Sequence, residues 1–302
     1  LVTWWLNNEK TMRIHHPYQN LTGGSWLRGN LHMHTTASDG SRPLQAVIDD
    51  YAARKYDFLM ISDHDILSDA KTYSAADAKG MTLLPGNEIS AAGPHLLHIG
   101  ANVRITPHAQ RQQILTDIAA AGGIAVINHP NWHGNFNHCS IEQLKEWVGY
   151  VGIEIYNGVI SRLDGSPYAT NKWDMLLATG RQVWGFANDD SHAAEGDVEL
   201  GWNMVYTPDR KPASIINAMR DGQFYPSTGV TIRSIAVNGD TIRIETDNAR
   251  RIVALQQVGK RFATADGNAI EVQVPASATY VRFECWGDGE KFAWTQPFFI
   301  EK

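Results

Sequence analysis

Two histidines one residue apart, in His32-Met33-His34, are the first side chains whose type and spacing suit chemistry. Neutral imidazole is the commonest metal ligand in proteins. In an extended segment residues i and i+2 point the same way, so both rings can reach one ion. Alone the pair says little. With 12 histidines in 302 residues, chance supplies about half such a pair per chain, and the motif needs a structural context.

That context is a series of further ligand-type side chains. Asp39 lies in Ser38-Asp39-Gly40. Asp63 and His64 follow the apolar run Phe58–Ile61, and Glu88 follows Met81–Leu84 and the Pro85-Gly86 turn. His98 lies within Leu96–Ile99, with His95 three residues earlier. His129 follows Ile124–Ile127, and Asp190 and His192 follow Val183–Ala187. Each has an ordinary reading when taken singly. A strand-end histidine is usually a hydrogen-bonded loop residue, Asp39 a turn or cap residue, Glu88 a surface carboxylate, and Asp190 with His192 a charge-assisted pair. Histidines and carboxylates recurring together at five or six strand ends fit one shared metal site better than a set of unrelated loops.

The elements that must position these groups read as an alternation. The strand-like run Trp26–Leu31 is followed by a helix with Leu44, Val47, Ile48 and Tyr51 on one face, entered through Ser41 and Pro43. Phe58–Ile61, Met81–Leu84, Leu96–Ile99, Ile124–Ile127, Val151–Tyr156 and Val183–Ala187 are further strands. Helix-period stretches carry Ile114/Leu115/Ile118, Ile141/Leu144/Val148 and Trp173/Leu176/Leu177. Such alternation predicts a parallel sheet or barrel, in which the C-terminal strand ends share one face. Beyond Thr228-Gly229 the pattern changes to short strands: Ile232–Val237, Ile242–Thr246, Ile252–Leu255, Ile270–Val274, Tyr280–Cys285 and Phe292–Ile300. Asn238-Gly239-Asp240 is a strong hairpin signal. The expected organisation is therefore an α/β unit over 1–228, with 1–25 as an N-terminal extension, and a small sandwich-like all-β unit over 229–302.

Composition sets the outer bounds. Apolar residues at 43% and charged residues at 19% describe an ordinary globular chain long enough to bury a full core. The net charge of −6, without a basic run, argues against a nucleic-acid polymer or a membrane surface as partner. No apolar run approaches the roughly 20 residues that span a bilayer. Cys139 and Cys285 form no CxxC, which excludes a zinc-finger framework and leaves one unsupported disulfide pairing open. The chain opens on Leu1, and both a cytoplasmic location and export behind a removed leader fit it. Oligomeric state is not legible.

Five segments, in order, carry a resemblance. Gly29-Asn30-Leu31-His32-Met33-His34-Thr35-Thr36-Ala37-Ser38-Asp39-Gly40, Ile61-Ser62-Asp63-His64-Asp65, Gly86-Asn87-Glu88-Ile89-Ser90, Asn128-His129-Pro130 and Asp189-Asp190-Ser191-His192 resemble the motifs of the PHP (polymerase and histidinol phosphatase) superfamily. The match covers about residues 26–228. The Trp-Leu-Arg-Gly-Asn-Leu-His opening, the Tyr-Asp-Phe-Leu stretch and Phe224–Gly229 look closest to the branch that includes carbaryl-hydrolase-like metallohydrolases. The resemblance implies a distorted (β/α)7 TIM-like barrel holding two or three divalent transition-metal ions. It implies His32, His34, Glu88 and Asp190 at a first ion, and a bridging Glu88 with His98 and His129 at a second. Asp39, His64 and His192 would hold a third. His95 is the rival to His98, and some members carry histidine in place of Asp39.

Mixed nitrogen and oxygen ligands suit zinc, manganese or iron. A hydroxide held between two such ions is nucleophilic at neutral pH, because metal binding lowers the pKa of water to about 7. Glu88, Asp190 and Asp63 are the candidate catalytic carboxylates, and Asp63, His95 and His133 the candidate general acids. Trp132 and His133, with Asn131, follow the third motif. Tyr156 and Asn157 end a strand, and Arg162 follows in the same loop as a potential anion grip; these are the candidate substrate contacts, and Thr228 approaches from the unit boundary. The expected activity is hydrolysis of a small phosphate ester or nucleotide. A carbamate, ester or amide hydrolase is the alternative, and a non-catalytic module with relict metals the third reading. Basic groups facing the metals separate the first two.

Overall fold

A computed structural model describes residues 12–19 and 21–301. Part of the expected N-terminal extension, residues 1–11 and Asn20, lies outside the described residues. The first half contains β1 (Arg13–His15), β2 (Ser25–Asn30), α1 (Leu44–Ala53), β3 (Phe58–Leu59), α2 (Ala70–Tyr73), β4 (Thr82–Leu83), β5 (Gly86–Ile89), β6 (Leu96–Ile99), α3 (Arg111–Ala120), β7 (Ile124–Ile127), α4 (Ile141–Glu146) and β8 (Gly152–Asn157). A 3-10 turn (Val159–Arg162) leads to α5 (Thr170–Leu177), β9 (Trp184–Asn188), β10 (Trp202–Thr207), α6 (Pro212–Arg220) and β11 (Phe224–Ser227). Eight strands follow: β12 (Ile232–Asn238), β13 (Thr241–Thr246), β14 (Arg251–Gln256), β15 (Lys260–Asp266), β16 (Ala269–Gln273), β17 (Tyr280–Trp286), β18 (Phe292–Trp294) and β19 (Phe298–Glu301).

The helices bury the stripes their spacing predicts: Val47, Ile48 and Tyr51 in α1, Ile114, Leu115 and Ile118 in α3, and Trp173, Leu176 and Leu177 in α5. A capping box starts α4, where Ser140 Oγ accepts from Gln143 N–H and Gln143 Oε1 accepts from Ser140 N–H. That helix stops at Glu146, so Val148 falls outside it and is exposed. Strands β7 and β8 are buried at every residue, as strands covered on both faces must be. Among the described residues no helix is long and apolar enough to cross a membrane.

The protein is mixed α/β, and its sheets are not uniformly parallel. A five-stranded sheet runs β5-β6-β7-β8-β9, with β6 antiparallel to both neighbours and β7, β8 and β9 parallel. The short Ser90–His95 connection explains the reversal, since a parallel crossover needs a dozen or more residues. A second sheet carries β4, β3 and β2 in parallel, then β10 and β11 antiparallel. No unbroken ladder closes a barrel among the described residues. The sheets meet instead at two seams of isolated bridges, Met33 with Ser191 and His64 with Glu88. Asp190 N–H donates to His32 O and His34 N–H to Ser191 O at one seam; Glu88 N–H donates to Ser62 O and Asp65 N–H to Glu88 O at the other.

The second sheet continues past β11 through a single pair, Ser227 with Ala293, into β18, β17, β19 and β1, while β14 and β15 pair alongside β17. The three-stranded sheet β12-β13-β16 encloses with it a core of Ile242, Ile244, Ile252, Val281, Phe283 and Phe298. The β12–β13 turn is Gly239-Asp240, and only Gly239 takes positive φ, at 61°. Cys139 and Cys285 are both buried free thiols.

A buried ion pair clips this β unit to α5. Arg282 on β17 donates through Nε and Nη2 to the two oxygens of Asp174, at 2.7 and 2.6 Å, and Tyr280 Oη adds a third bond at 2.9 Å. Removing one member of a buried pair leaves an uncompensated charge at a cost of about 3–5 kcal/mol. Arg282→Met is expected to lower stability by that amount in urea titration, and Arg282→Met with Asp174→Leu to recover most of it. A single-variant loss below about 1 kcal/mol would show that the pair is not the clip.

Candidate metal centre

His32 and His34 extend β2 past its last residue, and the seam with Ser191 keeps that segment straight. Asp63 lies behind them. Its oxygens accept from Thr35 N–H (2.7 Å), Thr35 Oγ1 (2.7 Å) and Ser38 Oγ (2.6 Å), which shapes the loop bearing Asp39. Gly40 closes the loop against His34, where a Cβ would stand 2.4 Å from His34 O. His64 follows β3, while Glu88 sits within β5 rather than beyond a turn. His129 and Asp190 leave β7 and β9 with positive φ, 27° and 57°, a conformation costly for non-glycine residues and common at functional sites.

Glu88 is the hub. Its Oε2 lies 2.9 Å from His64 Nδ1, 3.2 Å from His32 Nε2 and 3.5 Å from His34 Nε2; its Oε1 lies 3.1 Å from His95 Nδ1 and 3.4 Å from His129 Nε2. Asp190 Oδ1 is 3.1 Å from both His32 Nε2 and His34 Nε2. Asp39 Oδ2 faces His64 Nε2 and His192 Nε2, each at 3.4 Å. Burial opposes charge on Glu88, yet His32 and His95 beside it and the His129 bond hold its carboxyl well below the usual range. Burial likewise opposes charge on His64, and its contacts with Asp39 and Glu88 outweigh that, pushing it up to about 10.

Donors and acceptors do not close within this cluster. His32 Nε2, His34 Nδ1, His64 Nδ1 and Glu88 Oε2 are buried without a hydrogen-bond partner. Ligand atoms within 4.8 Å of one another fall into overlapping sets: His32, His34 and Asp190; His32, Glu88 and His129; His64, Glu88 and His95; His34, Asp39, His64 and His192; and His95, His129 and His138. Converging lone pairs of mixed nitrogen and oxygen type are what divalent transition-metal ions satisfy, so the residues fit such ions.

All the sequence-predicted ligands except His98 meet here. His98 stands opposite Asn87 in the β5–β6 ladder, whereas Glu88 stands opposite Leu97. Side chains alternate between faces, so His98 lies with Leu96 on the face away from Glu88, its Nε2 beside Gly123. Its ring nitrogens have no partner, and burial lowers its pKa to about 4. His95 shares the face of Leu97 and touches Glu88.

The other expected contacts divide. Trp132 lines the pocket. Asn157 donates to Glu154 Oε2 (2.8 Å) and Asp190 Oδ2 (3.2 Å). Tyr156 does not face the site: a bulge between Glu154 and Tyr156 turns it into the core against Tyr168 and Trp294. Arg162 is no free anion grip, because Nε and Nη2 both engage Asp197 at 2.7 Å. His133 is exposed, stacked on Trp132 and 3.3 Å from His138. Asp63 is occupied by Thr35 and Ser38. Asn131 donates to Asn171 and Tyr168 O, and Thr228 is bonded to Phe292 on β18.

One buried carboxylate was absent from the sequence expectations. Glu154, on β8, accepts from His32 Nδ1 (2.8 Å), Asn188 Nδ2 (2.8 Å), His129 N–H (2.9 Å) and Asn157 Nδ2 (2.8 Å). The bond to Nδ1 turns His32 Nε2 toward Glu88 and Asp190. Its signal was a single acid inside the otherwise apolar strand run Val151–Tyr156.

No family model and no curated protein matches the chain. Among solved structures the chain is similar to a two-domain protein containing a predicted PHP-like metal-dependent phosphoesterase from Bacteroides vulgatus. Identity is 18%, the match covers 93% of this chain and 97% of that one, and the TM-score is 0.57. An amidohydrolase from Chromobacterium violaceum matches 56% of this chain and 89% of its own, at 18% identity and a TM-score of 0.40. The likeness to the first protein is one of fold, and it spans nearly the whole of both chains.

Carboxylates that orient ligating histidines typically change metal affinity by 10–100-fold. Glu154→Gln is expected to weaken Zn²⁺ binding by about that factor in competition with a chromophoric chelator. Unchanged affinity would remove Glu154 from the centre.

Proposed function

We propose that the chain is a metal-dependent hydrolase of the PHP type, most simply a phosphoesterase cleaving a small phosphate ester with two or three divalent transition-metal ions. The observation that carries the reading is the convergence of buried nitrogen and oxygen atoms around Glu88, among which His32 Nε2, His34 Nδ1, His64 Nδ1 and Glu88 Oε2 have no hydrogen-bond partner. The two bridged seams support reading the α/β unit as a distorted barrel, with the cluster at its mouth. The fold likeness to the Bacteroides vulgatus protein supports the phosphoester reading.

In this reading His32, His34, Asp190 and Glu88 hold one ion, Glu88, His95 and His129 a second, and Asp39, His64 and His192 a third. His95 takes the place first expected of His98. Bound ions supply Lewis-acid activation of water and neutralise charge that develops on the substrate. The chain's own residues do the positioning. Glu154 fixes the ring of His32 and the backbone of His129, and Asn157 steadies Asp190. Asp63 acts through the Asp39 loop rather than on substrate. The substrate is a small molecule, as the cavity beside the cluster is only about 220 Å³.

Carbamate, ester or amide hydrolysis is the second reading, favoured by one observation. Among the described residues no lysine or arginine lines the pocket, which is formed by Asp39, His64, Glu88, His95, His129, Trp132, Val159, Ile160, Leu163, Asp190 and His192. A panel of phosphomonoesters, phosphodiesters, carbamates and aryl esters assayed with Mn²⁺ decides between the two.

Elemental analysis is expected to find two or three transition-metal ions per chain. Glu88→Ala and His129→Ala are expected to lower turnover more than about a hundredfold with circular dichroism unchanged. Normal turnover in either variant would sink the assignment.

A further inference from the structure

The cavity beside the cluster has two unlike sides. One is the ligand set. The other is apolar: Val159 and Ile160 from the 3-10 turn, Leu163 just after it, and Trp132 from the loop after β7. Nothing in the ligand set accounts for this wall.

The wall is built, not incidental. Gly158 N–H donates to Asn188 O and Val159 N–H to Asp189 O, which fastens the turn to the strand end that carries Asp190. Arg162, within the same turn, points outward to Asp197. Asp197 is buried and also accepts from His192 and Ala193 N–H, so the turn is tied to the loop bearing His192. The Trp132 loop is stitched directly to the Leu163 loop. His133 N–H donates to Asp164 O and Ser166 N–H to Asn131 O, around a bridge between Trp132 and Gly165. Gly165 has φ of 120°, and a Cβ there would lie 2.5 Å from Asn131 O. The indole stands edge-on to His129, 5.1 Å between centroids, beside the hub of the cluster. Leu163 is 41% exposed, an apolar side chain left open at the cavity mouth.

The nearby cations are spent elsewhere. Arg162 is held by Asp197, Arg42 donates to Asp50 and Ser191, and Arg28 lies over Tyr56 and Trp202 with Glu199. A second anionic group on the substrate would find no lysine or arginine among the described lining residues, whose imidazoles belong to the ligand set, and would lose water against Val159, Ile160 and Leu163.

We propose that this wall is a specificity subsite for an uncharged, apolar part of the substrate, a group of about the size of a benzene ring, and that it selects against substrates with a second anionic group. The whole cavity, ligand side included, is about 220 Å³, and a dry apolar cavity of about 150 Å³ takes one benzene ring, so the wall has room for a single ring at most. The proposal rests on the metallohydrolase reading of the adjacent cluster, but not on whether the bond cleaved belongs to a phosphate or a carboxyl derivative.

The test is direct binding to the Zn²⁺-loaded protein by titration calorimetry. Acetohydroxamate and benzohydroxamate share a metal-binding group and differ by a methyl against a phenyl. Benzylphosphonate and 3-phosphonopropionate share a phosphonate and differ by a ring against a second anion. Benzohydroxamate is expected to bind at least about tenfold tighter than acetohydroxamate, the scale of apolar-pocket discrimination. Leu163→Lys is expected to shift the benzylphosphonate to 3-phosphonopropionate preference at least about tenfold toward the second anion, a gain that misfolding cannot mimic. A hydroxamate ratio near one, or an unchanged preference in Leu163→Lys, overturns the subsite. Failure of both phosphonates to bind while the hydroxamate ratio holds overturns the phosphoester reading and leaves the subsite supported. Failure of all four to bind overturns the metal reading and the subsite with it.

Discussion

Glu88 has no contact with solvent, yet the imidazoles beside it favour its charged form, and most of the site follows from that constraint. An isolated buried carboxylate is so costly that it must be neutralised by a proton, a paired cation or a metal. Here five imidazoles close around it, from His32, His34, His64, His95 and His129. They come from segments far apart in sequence, so satisfying Glu88 requires the two sheets to meet. The backbone of Glu88 makes one of the seams itself, through bonds to Ser62 and Asp65. Charge neutralisation and sheet closure are thus two consequences of the same contact.

Glu154 repeats the logic one layer back. Four donors, from His32, His129, Asn157 and Asn188, occupy its two oxygens, so neither buried oxygen is left without a partner. Those bonds fix a ring nitrogen that would otherwise be free to carry its proton on either side, and hold His129 in a backbone conformation that a histidine rarely adopts. The bulge in β8 makes this geometry workable. It sends Ile155 and Tyr156 to the core and returns Asn157 to the side of Glu154.

The C-terminal β unit is joined to this scaffold by continuity of one sheet, by the Arg282–Asp174 pair and by two bonds between Gln296 and Gly185 of β9, and not through the residues of the candidate metal centre. Trp294 on β18 packs against Tyr156, so the unit buttresses the strand that carries Glu154 from outside. The pocket wall is supplied instead by the loops after β7 and β8, where the ends of buried strands reach the surface.

How much of this was legible in the chain depends on the range of the interactions involved. The order of ligand-type residues, the helical stripes of α1, α3 and α5, and the hairpin at Gly239 are local properties, written in spacing and residue type. The sequence alone therefore determined that histidines and acids recur at successive strand ends, and that a β-rich segment follows. Strands β10, β11 and β15 and helix α6 are not among the sequence expectations, although α6 buries Ile215, Ala218 and Met219 at helical spacing behind Pro212 and β10 alternates in burial. Tertiary structure alone decided the direction of β6, and with it the face on which a histidine emerges. One step in a period of two separates His98, behind the sheet, from the side of Leu97 and His95. It also decided that Arg162 is consumed by a buried Asp197, and that a lone acid in an apolar strand, Glu154, anchors His32 and His129. Pairing partners, strand direction and burial are set by contacts between distant segments, and no window of the sequence contains both sides of such a contact.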